Sequence, residues 1–225
     1  MNRLTEIANK YNTDKGTNKL CDNGFCGHGF TEFYYDFFSK YRNPVILEIG
    51  VFKGNSIRMF NEFFGGKCEI YCLDVNPDYD VSHLGENIHF SVLDQGDIKQ
   101  LKEFVKNLNG IKFDIILDDA SHIQYNQMLS YSVFRKLLKP NGIYVMEDIH
   151  TSFLESWGAK KEPTTTLDFF VGFIPYHMFD EKLNFEMLNE IQTVQLFSNY
   201  NGSEPVNPQT LRRNRSMTAI IKLKT

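Results

Sequence analysis

The chain has 225 residues, 42% hydrophobic and 14% aromatic, enough to bury one sizeable domain and short of two comfortable ones. Its 24 Lys and Arg against 28 Asp and Glu leave a net charge of −4, which argues against general nucleic-acid binding. The polar start, MNRLTEIANKYNTDK, argues against a signal peptide, and no apolar run approaches the ~18 residues of a membrane span, so a cytoplasmic protein without membrane contact is expected.

In chain order, residues 2–11 read as a short helix. Thr13 to Gly29 is a Gly/Asn/Asp-rich loop, long for a compact domain and so a candidate functional segment. Phe30, Phe33, Tyr34, Phe37, Phe38 and Tyr41 fall on one helical face, read as core packing, and Asn43-Pro44 ends that helix. Residues 45–49 (VILEI) form a strand that runs into Gly50 and Gly54, and a helix over 55–64 follows. Strands are expected over 68–73, 88–93, 113–117 and 143–146, with helices over 97–108 and 123–138 and a turn at Lys139 to Gly142. This alternation implies a parallel, doubly wound α/β sheet. After a polar loop over 151–166, residues 167–180 read as an aromatic helix interrupted at Pro175. Strands over 191–198 and 216–223 close the sheet edge as an antiparallel pair. A single domain is expected over 1–225: a helical and loop cap (1–43), a cofactor-binding core (44–150), an acceptor-side lid (151–190) and the antiparallel strands (191–225).

Ligands of open α/β sheets bind beyond the carboxyl ends of the strands. Five successive strands here carry carboxylates at or just before those ends: Glu48, Asp74, Asp94, Asp118-Asp119 and Glu147-Asp148. The glycine turn has the spacing E-x-G-x-x-x-G rather than the dinucleotide fingerprint G-x-G-x-x-G. Asp74 stands 24 residues after Gly50, where a carboxylate can accept both hydroxyls of a ribose or simply cap the strand end. Asp94-Gln95 could read an adenine amino group. Cys68 and Cys72, four apart on one strand and so about 13 Å from each other, are too distant for a disulfide. Cys21 and Cys26 could approach each other in their loop, but reduced structural cysteines are the expectation for all four.

Glu48 to Gly54 (EIGVFKG), with Asp74 and Asp94, resembles the class I S-adenosylmethionine-dependent methyltransferases. The resemblance implies a Rossmann-like, mostly parallel seven-stranded sheet with a C-terminal antiparallel pair. It implies that Gly50 and Gly54 shape the loop passing the methionine part of the cofactor, that Asp74 holds the ribose and that Asp94, with Gln95 beside it, contacts adenine. Glu48 would orient the loop and sit near the methionine amino group. A narrower likeness lies in Asp118-Asp119-Ala120-Ser121-His122, Glu147-Asp148 and Thr151-Ser152, preceded by Thr13-Asp14-Lys15 and His28. These blocks look like the metal-dependent sugar O-methyltransferases of bacterial macrolide and polysaccharide pathways. The chain is shorter than the macrolide members, and Asn55-Ser56 stand where Gly-Ser is common.

That likeness implies a divalent cation, Mg²⁺ or similar, on Asp119, Glu147 and Asp148. The physics agrees, since three carboxylates converging in a cleft repel unless a hard cation neutralises them. The catalytic residues would be Asp119 and His122, with His122 as general base toward a sugar hydroxyl. Lys15 and Asp14 either close over the cofactor carboxylate or lie on a solvated loop. Trp157, Phe169, Phe170 and Tyr176 would form an acceptor lid. Arg212, Arg213 and Arg215 either meet a diphosphate or are solvated. The expected reaction is methyl transfer to a sugar or nucleotide-sugar hydroxyl, by an enzyme for which a homo-oligomer is a family expectation. The alternatives are a metal-independent small-molecule N- or O-methyltransferase, an NAD-dependent dehydrogenase and a non-catalytic cofactor-binding protein.

Overall fold

A computed structural model describes residues 1–18, 20–21, 24–25, 27–157, 163–200 and 215–224. The chain begins with helix α1 (Arg3–Lys10), whose N-cap Asn2 accepts a hydrogen bond from Thr5 N at 2.9 Å. A two-rung antiparallel pair, β1 (Leu20–Cys21) and β2 (Gly24–Phe25), precedes α2 (Thr31–Phe38). The core then alternates: β3 (Val45–Ile49), α3 (Asn55–Phe63), β4 (Glu69–Asp74), β5 (Ile88–Val92), α4 (Ile98–Asn107), β6 (Phe113–Asp118), α5 (Gln124–Phe134) and β7 (Leu138–Met146). Helices α6 (Thr166–Gly172) and α7 (Glu181–Glu190) lead to β8 (Ile191–Tyr200) and β9 (Arg215–Leu223).

The seven-stranded sheet runs in the order β5-β4-β3-β6-β7-β9-β8. The first five strands pair in parallel, and β9 joins antiparallel to both β7 and β8, as the sequence reading expected. The strand order reverses between β3 and β6, which opens a crevice at their carboxyl ends.

Alternation along the strands divides the core between the two sheet faces. Ile46, Ile70, Ile115, Leu117 and Val145 pack under α1, α2 and α3 with Leu4, Tyr34, Phe38, Ile57 and Phe60. Leu47, Ile49, Leu73, Ile116 and Tyr144 pack under the other helices with Leu101, Met128, Tyr131, Phe134, Phe169 and Met187. Each such side chain contributes about 1.5–3 kcal/mol by burial. Cys68 and Cys72 are free and buried; the side chains of Cys21 and Cys26 lie outside the described residues.

Three stretches differ from expectation. The helix after β6 stops at Phe134, one 3₁₀ turn follows, and β7 already begins at Leu138, absorbing the expected turn at Lys139 to Gly142. The aromatic helix ends at Gly172, where Phe173 takes a left-handed φ of 53°. Helix α7 was not expected. Its buried face holds only Asn184 and Met187, too thin an apolar stripe to signal a helix. Asn184 instead binds the approach to that helix: Nδ2 donates to the carbonyls of Tyr176, Phe179 and Asp180 at 3.0–3.1 Å, and Oδ1 accepts from Tyr176 N at 2.8 Å. Among the described residues no helix is long and apolar enough to cross a membrane.

Candidate active site

The crevice at the β3/β6 reversal begins with Gly50. Its φ is +92°, and a Cβ there would stand 2.1 Å from the Asp119 carbonyl oxygen and 2.7 Å from Ala120 Cα. Only glycine lets the β3 turn pass the end of β6 this closely. Gly54 (φ +71°) begins α3, and a Cβ on it would meet Val81. Asp74 fastens the turn: one carboxylate oxygen accepts from Val51 N at 2.8 Å and Phe52 N at 3.1 Å, and the other from Asn76 N at 2.9 Å. The strand-end cap is thus present, and the carboxylate keeps acceptor capacity for a further hydroxyl.

A cavity of about 280 Å³ lies against this turn. Ile49, Leu73, Leu93 and Ala120 give it apolar walls, Phe52 and Tyr79 give it rings, and Asp74 and Asp94 line it with carboxylates. Asp94 is exposed and accepts from Gly96 N at 2.8 Å. Gln95 also lines the cavity, but its amide is engaged elsewhere. Nε2 donates to Asp118 Oδ1 at 2.7 Å, and Oε1 accepts from the Ser121 hydroxyl at 2.8 Å. It braces the end of β6 rather than presenting a free amide. A smaller adjoining cavity, about 60 Å³, is lined by Thr13, Asp14, Lys15, Val51, Lys53 and Ser56, and shares Gly50, Phe52 and Asp119 with the first.

The acidic doublets are split by strand alternation. Asp118 lies on the α4–α5 side, buried, with Gln95 and the Tyr144 hydroxyl (3.1 Å) on its oxygens. Burial pushes its carboxyl up to about 7. Glu48, Asp119 and Glu147 lie on the opposite side, at the ends of three neighbouring strands. Glu48 is fully buried with no hydrogen-bond donor in bonding geometry on either oxygen, and burial raises it to about 7 against the pull of nearby Lys15 and Ser56.

Lys15 enters this cluster. Its buried ammonium donates to Asp119 Oδ2 and, at 2.9 Å, to Glu147 Oε2. Burial would lower its pKa, but Asp119 and Glu147 more than offset that and hold it well above the ordinary value. The other Glu147 oxygen accepts from the Tyr34 hydroxyl at 2.7 Å. Lys15 therefore faces the carboxylates rather than standing free to meet a cofactor carboxylate.

Asp119, His122 and Asp148 offer ligand atoms within 4.8 Å of one another. His122 Nε2 lies 3.8 Å from Asp119 Oδ1 and 3.5 Å from Asp148 Oδ2. Glu147, one residue before Asp148, is not in that trio. His122 (φ 55°) and Asp148 (φ 53°) both adopt left-handed backbone, a strained state that persists where surrounding structure fixes it. Thr151 and Ser152 supply that support through Gln124. The Thr151 hydroxyl donates to the His122 carbonyl at 3.0 Å and accepts from Gln124 Nε2 at 3.1 Å, and Ser152 Oγ donates to Gln124 Oε1 at 2.8 Å. His28 Nδ1 and His150 Nδ1 each stand 3.6 Å from Asp148 Oδ1.

Two carboxylates meeting around one point, with an imidazole beside them, offer oxygen donors that fit a hard divalent cation. Asp148 Oδ1 is buried and makes no hydrogen bond, as expected of an oxygen shaped for a charged partner.

Trp157 stands edge-on to the His122 ring at 5.7 Å between centroids. Phe169, Phe170 and Tyr176, expected beside it in a lid, are instead fully buried, and Phe170 packs on Tyr131 at 4.9 Å. Their apolar rings are drawn into the α5–α6 core. Arg212, Arg213 and the Arg215 side chain lie outside the described residues. Sequence reasoning missed Tyr34, Gln124 and His150. Tyr34 reads as one of six aromatics on a packed face, and only its hydroxyl, the polar handle of a buried ring, could have pointed to a partner.

No protein-family model matches the chain. Mycinamicin VI 2''-O-methyltransferase of Micromonospora griseorubida is 34% identical over 170 residues, 71% of this chain and 39% of that protein. Demethylmacrocin O-methyltransferase of Streptomyces fradiae is 32% identical over 170 residues, 71% of this chain and 40% of that protein. The chain spans about two fifths of the length of these curated relatives. Among solved structures, MycE methyltransferase from the mycinamycin biosynthetic pathway, in complex with Mg, SAH and mycinamycin VI, aligns with a TM-score of 0.70 at 25% identity, over 99% of this chain and 54% of that one. The turn, the cavity, the sheet order and these likenesses agree: the chain belongs to the class I S-adenosylmethionine-dependent methyltransferases, and its relatives are O-methyltransferases such as those acting on mycinamicin VI and demethylmacrocin.

Proposed function

We propose that the chain is an S-adenosylmethionine-dependent, divalent-cation-assisted O-methyltransferase whose acceptor is a sugar hydroxyl. The observation that carries this reading is the continuity of the site. Asp119 lines the cavity beside the Gly50 turn and also belongs to the Asp119–His122–Asp148 cluster. A cofactor seated against Gly50, Asp74 and Asp94 would therefore lie beside the one group of acid–base and ligating side chains that adjoins that cavity among the described residues.

Asp119 and Asp148 would hold the cation, which when bound acidifies a neighbouring hydroxyl. Mg²⁺ prefers oxygen donors, so His122 stays free as a base. Its Nε2, the ring nitrogen that faces Asp119 and Asp148, would accept the hydroxyl proton. The acceptor oxygen forms a bond to the methyl carbon as the carbon–sulfur bond breaks. That electron pair returns to sulfur and leaves a neutral thioether. Proximity and alignment supply much of the acceleration. Trp157, edge-on to His122, would pack against the sugar.

A tetracenomycin relative is named for 2'-O-methylation of a rhamnosyl compound, and an acceptor activated on a nucleotide for polysaccharide or natural-product assembly is the finer reading. The test is a methylation screen of nucleotide-sugars and glycosylated small molecules with S-adenosylmethionine and Mg²⁺, read by mass. A gain of one methyl group on a sugar, lost with chelator and restored by Mg²⁺, is expected. Full turnover in chelator refutes the metal assistance, and methylation confined to amines refutes the acceptor class.

A further inference from the structure

Lys15 brings a buried ammonium into the carboxylate cluster of the site. It comes from the loop after α1, yet its side chain is 1% exposed and its ammonium bridges Asp119 and Glu147 at the ends of β6 and β7, residues 104 and 132 positions later in the chain. The loop carrying it is fastened by backbone bonds: the Lys15 carbonyl accepts from Thr31 N at 3.0 Å, and the Asp14 carbonyl from His28 N at 2.6 Å. Glu147 is fixed on every side. Its peptide N donates to the Asp118 carbonyl at 2.9 Å, its own carbonyl accepts from Gln127 Nε2 at 3.1 Å, and its second carboxylate oxygen accepts from Tyr34. Neither Glu147 nor Lys15 can swing to solvent without breaking these contacts.

Two carboxylates this close, one of them 2% exposed, repel strongly unless a cation lies between them. A bound metal would supply that charge only when present. We infer that Lys15 is the internal counter-ion of the site, a positioning residue that holds Asp119 and Glu147 together so that the carboxylate cluster persists whether or not a divalent cation is bound. The inference rests on the metal reading above only where it concerns binding of the cation. The pairing of Lys15 with Glu147 stands by itself.

The test is a cycle of Lys15→Met, Glu147→Gln and the double variant, each purified as the full chain. Thermal unfolding is followed in chelator and in Mg²⁺, and Mn²⁺ affinity is measured by calorimetry. In chelator, Lys15→Met should lower Tm on the order of 10 °C, since removing one partner of a buried pair leaves an uncompensated charge. Adding Glu147→Gln should recover most of that loss, because a neutral amide no longer needs the ammonium. Mg²⁺ should raise the Tm of Lys15→Met more than that of wild type, with Mn²⁺ affinity about tenfold higher or more, because the cation meets one positive charge fewer. If Lys15→Met does not fold, folding of the double variant supports the inference and its failure overturns it. A Lys15→Met protein as stable as wild type in chelator, or a loss that Glu147→Gln leaves uncorrected, overturns the counter-ion role. Wild type that binds no Mn²⁺ while the chelator cycle holds overturns the metal reading and leaves the counter-ion role supported.

Discussion

Replacing Glu48 with Gln should stabilise the ligand-free protein, and the gain should depend on pH in a defined direction. The Glu48 side chain is fully buried at the end of β3, with neither oxygen in bonding geometry with a donor. Burial raises its pKa from the ordinary 4.5 to about 7, Lys15 and Ser56 pull it back, and Asp119 and Asp14 push it further up. Because the folded-state value lies above the unfolded one, this group stabilises the fold fully below about pH 4.5, and that stability is lost as pH rises through about 7. A shift of this size corresponds to roughly 3 kcal/mol between the two ends of that window. Glutamine keeps the shape and removes the ionisation. Urea unfolding of both proteins at pH 5, 6, 7 and 8, in chelator and without cofactor, should show nearly equal stabilities at pH 5. At pH 8 Glu48→Gln should be the more stable by about 3 kcal/mol. Other titrating groups, such as Asp118, contribute to both curves and cancel in the difference. S-adenosylhomocysteine should narrow the gap at pH 8 if its amine meets the Glu48 carboxylate. Parallel curves across the range, or a less stable variant at pH 8, would refute the burial argument.

Three further outcomes follow from named contacts. Gly50→Ala drives a methyl group into the Asp119 carbonyl and forces alanine to φ +92°; a loss on the order of 3 kcal/mol and failure to bind S-adenosylhomocysteine are expected by denaturation and calorimetry. Asn184→Ala removes the side chain that ties the Tyr176–Asp180 turn to α7. Loss of about 2–3 kcal/mol is expected, with faster amide exchange confined to residues 173–190; unchanged exchange there would refute the anchoring role. With a methylated acceptor in hand, His122→Gln should lower kcat by roughly 10²–10⁴-fold. An unchanged kcat would remove the general-base role.

The parallel core was legible because its signals are local. VILEI, FDIIL and IYVM are short apolar runs bounded by glycine or carboxylates, and strands of this kind separated by helices leave few topologies open. The Gly50 turn was legible for the same reason. Helix α7 was not, because a buried asparagine replaces half of its apolar stripe. The expected lid was misplaced because an aromatic-rich segment after a binding loop looks the same in sequence whether its rings face a ligand or a core. Here Phe169 and Phe170 pack on Tyr131. Composition also could not tell that Gln95 would spend its amide on Asp118 and Ser121, since an amide after a strand suits a ligand and a brace equally. Lys15 was visible as a residue of interest, but its partners lie more than a hundred positions away, and only the fold brings them to it.

The acidic doublets show why a list of carboxylates is not yet a site. Residues with a period of two alternate between faces, so Asp118-Asp119 is divided by the sheet. Asp118 joins Tyr144 and Gln95 on one side, and Asp119 meets Lys15 on the other. Glu147-Asp148 is divided differently, because Asp148 leaves the strand in a left-handed conformation that turns its carboxylate toward His122, His28 and His150. The result is one face of carboxylates, the buried Glu48 and Glu147 with the half-buried Asp119, answered among the described residues by the Lys15 ammonium, and Asp148 beside it among imidazoles. One lysine cannot neutralise that many acids. Either a proton remains on one of them, as the upward shift of Glu48 to about 7 indicates, or positive ligands arrive. A divalent cation, a sulfonium centre and an amino-acid ammonium are such ligands. Each would displace a proton, so binding of Mg²⁺ or of S-adenosylmethionine should release protons near pH 7, and calorimetry in buffers of different ionisation enthalpy would count them. Binding without proton release would mean that the cluster is already ionised in the free protein.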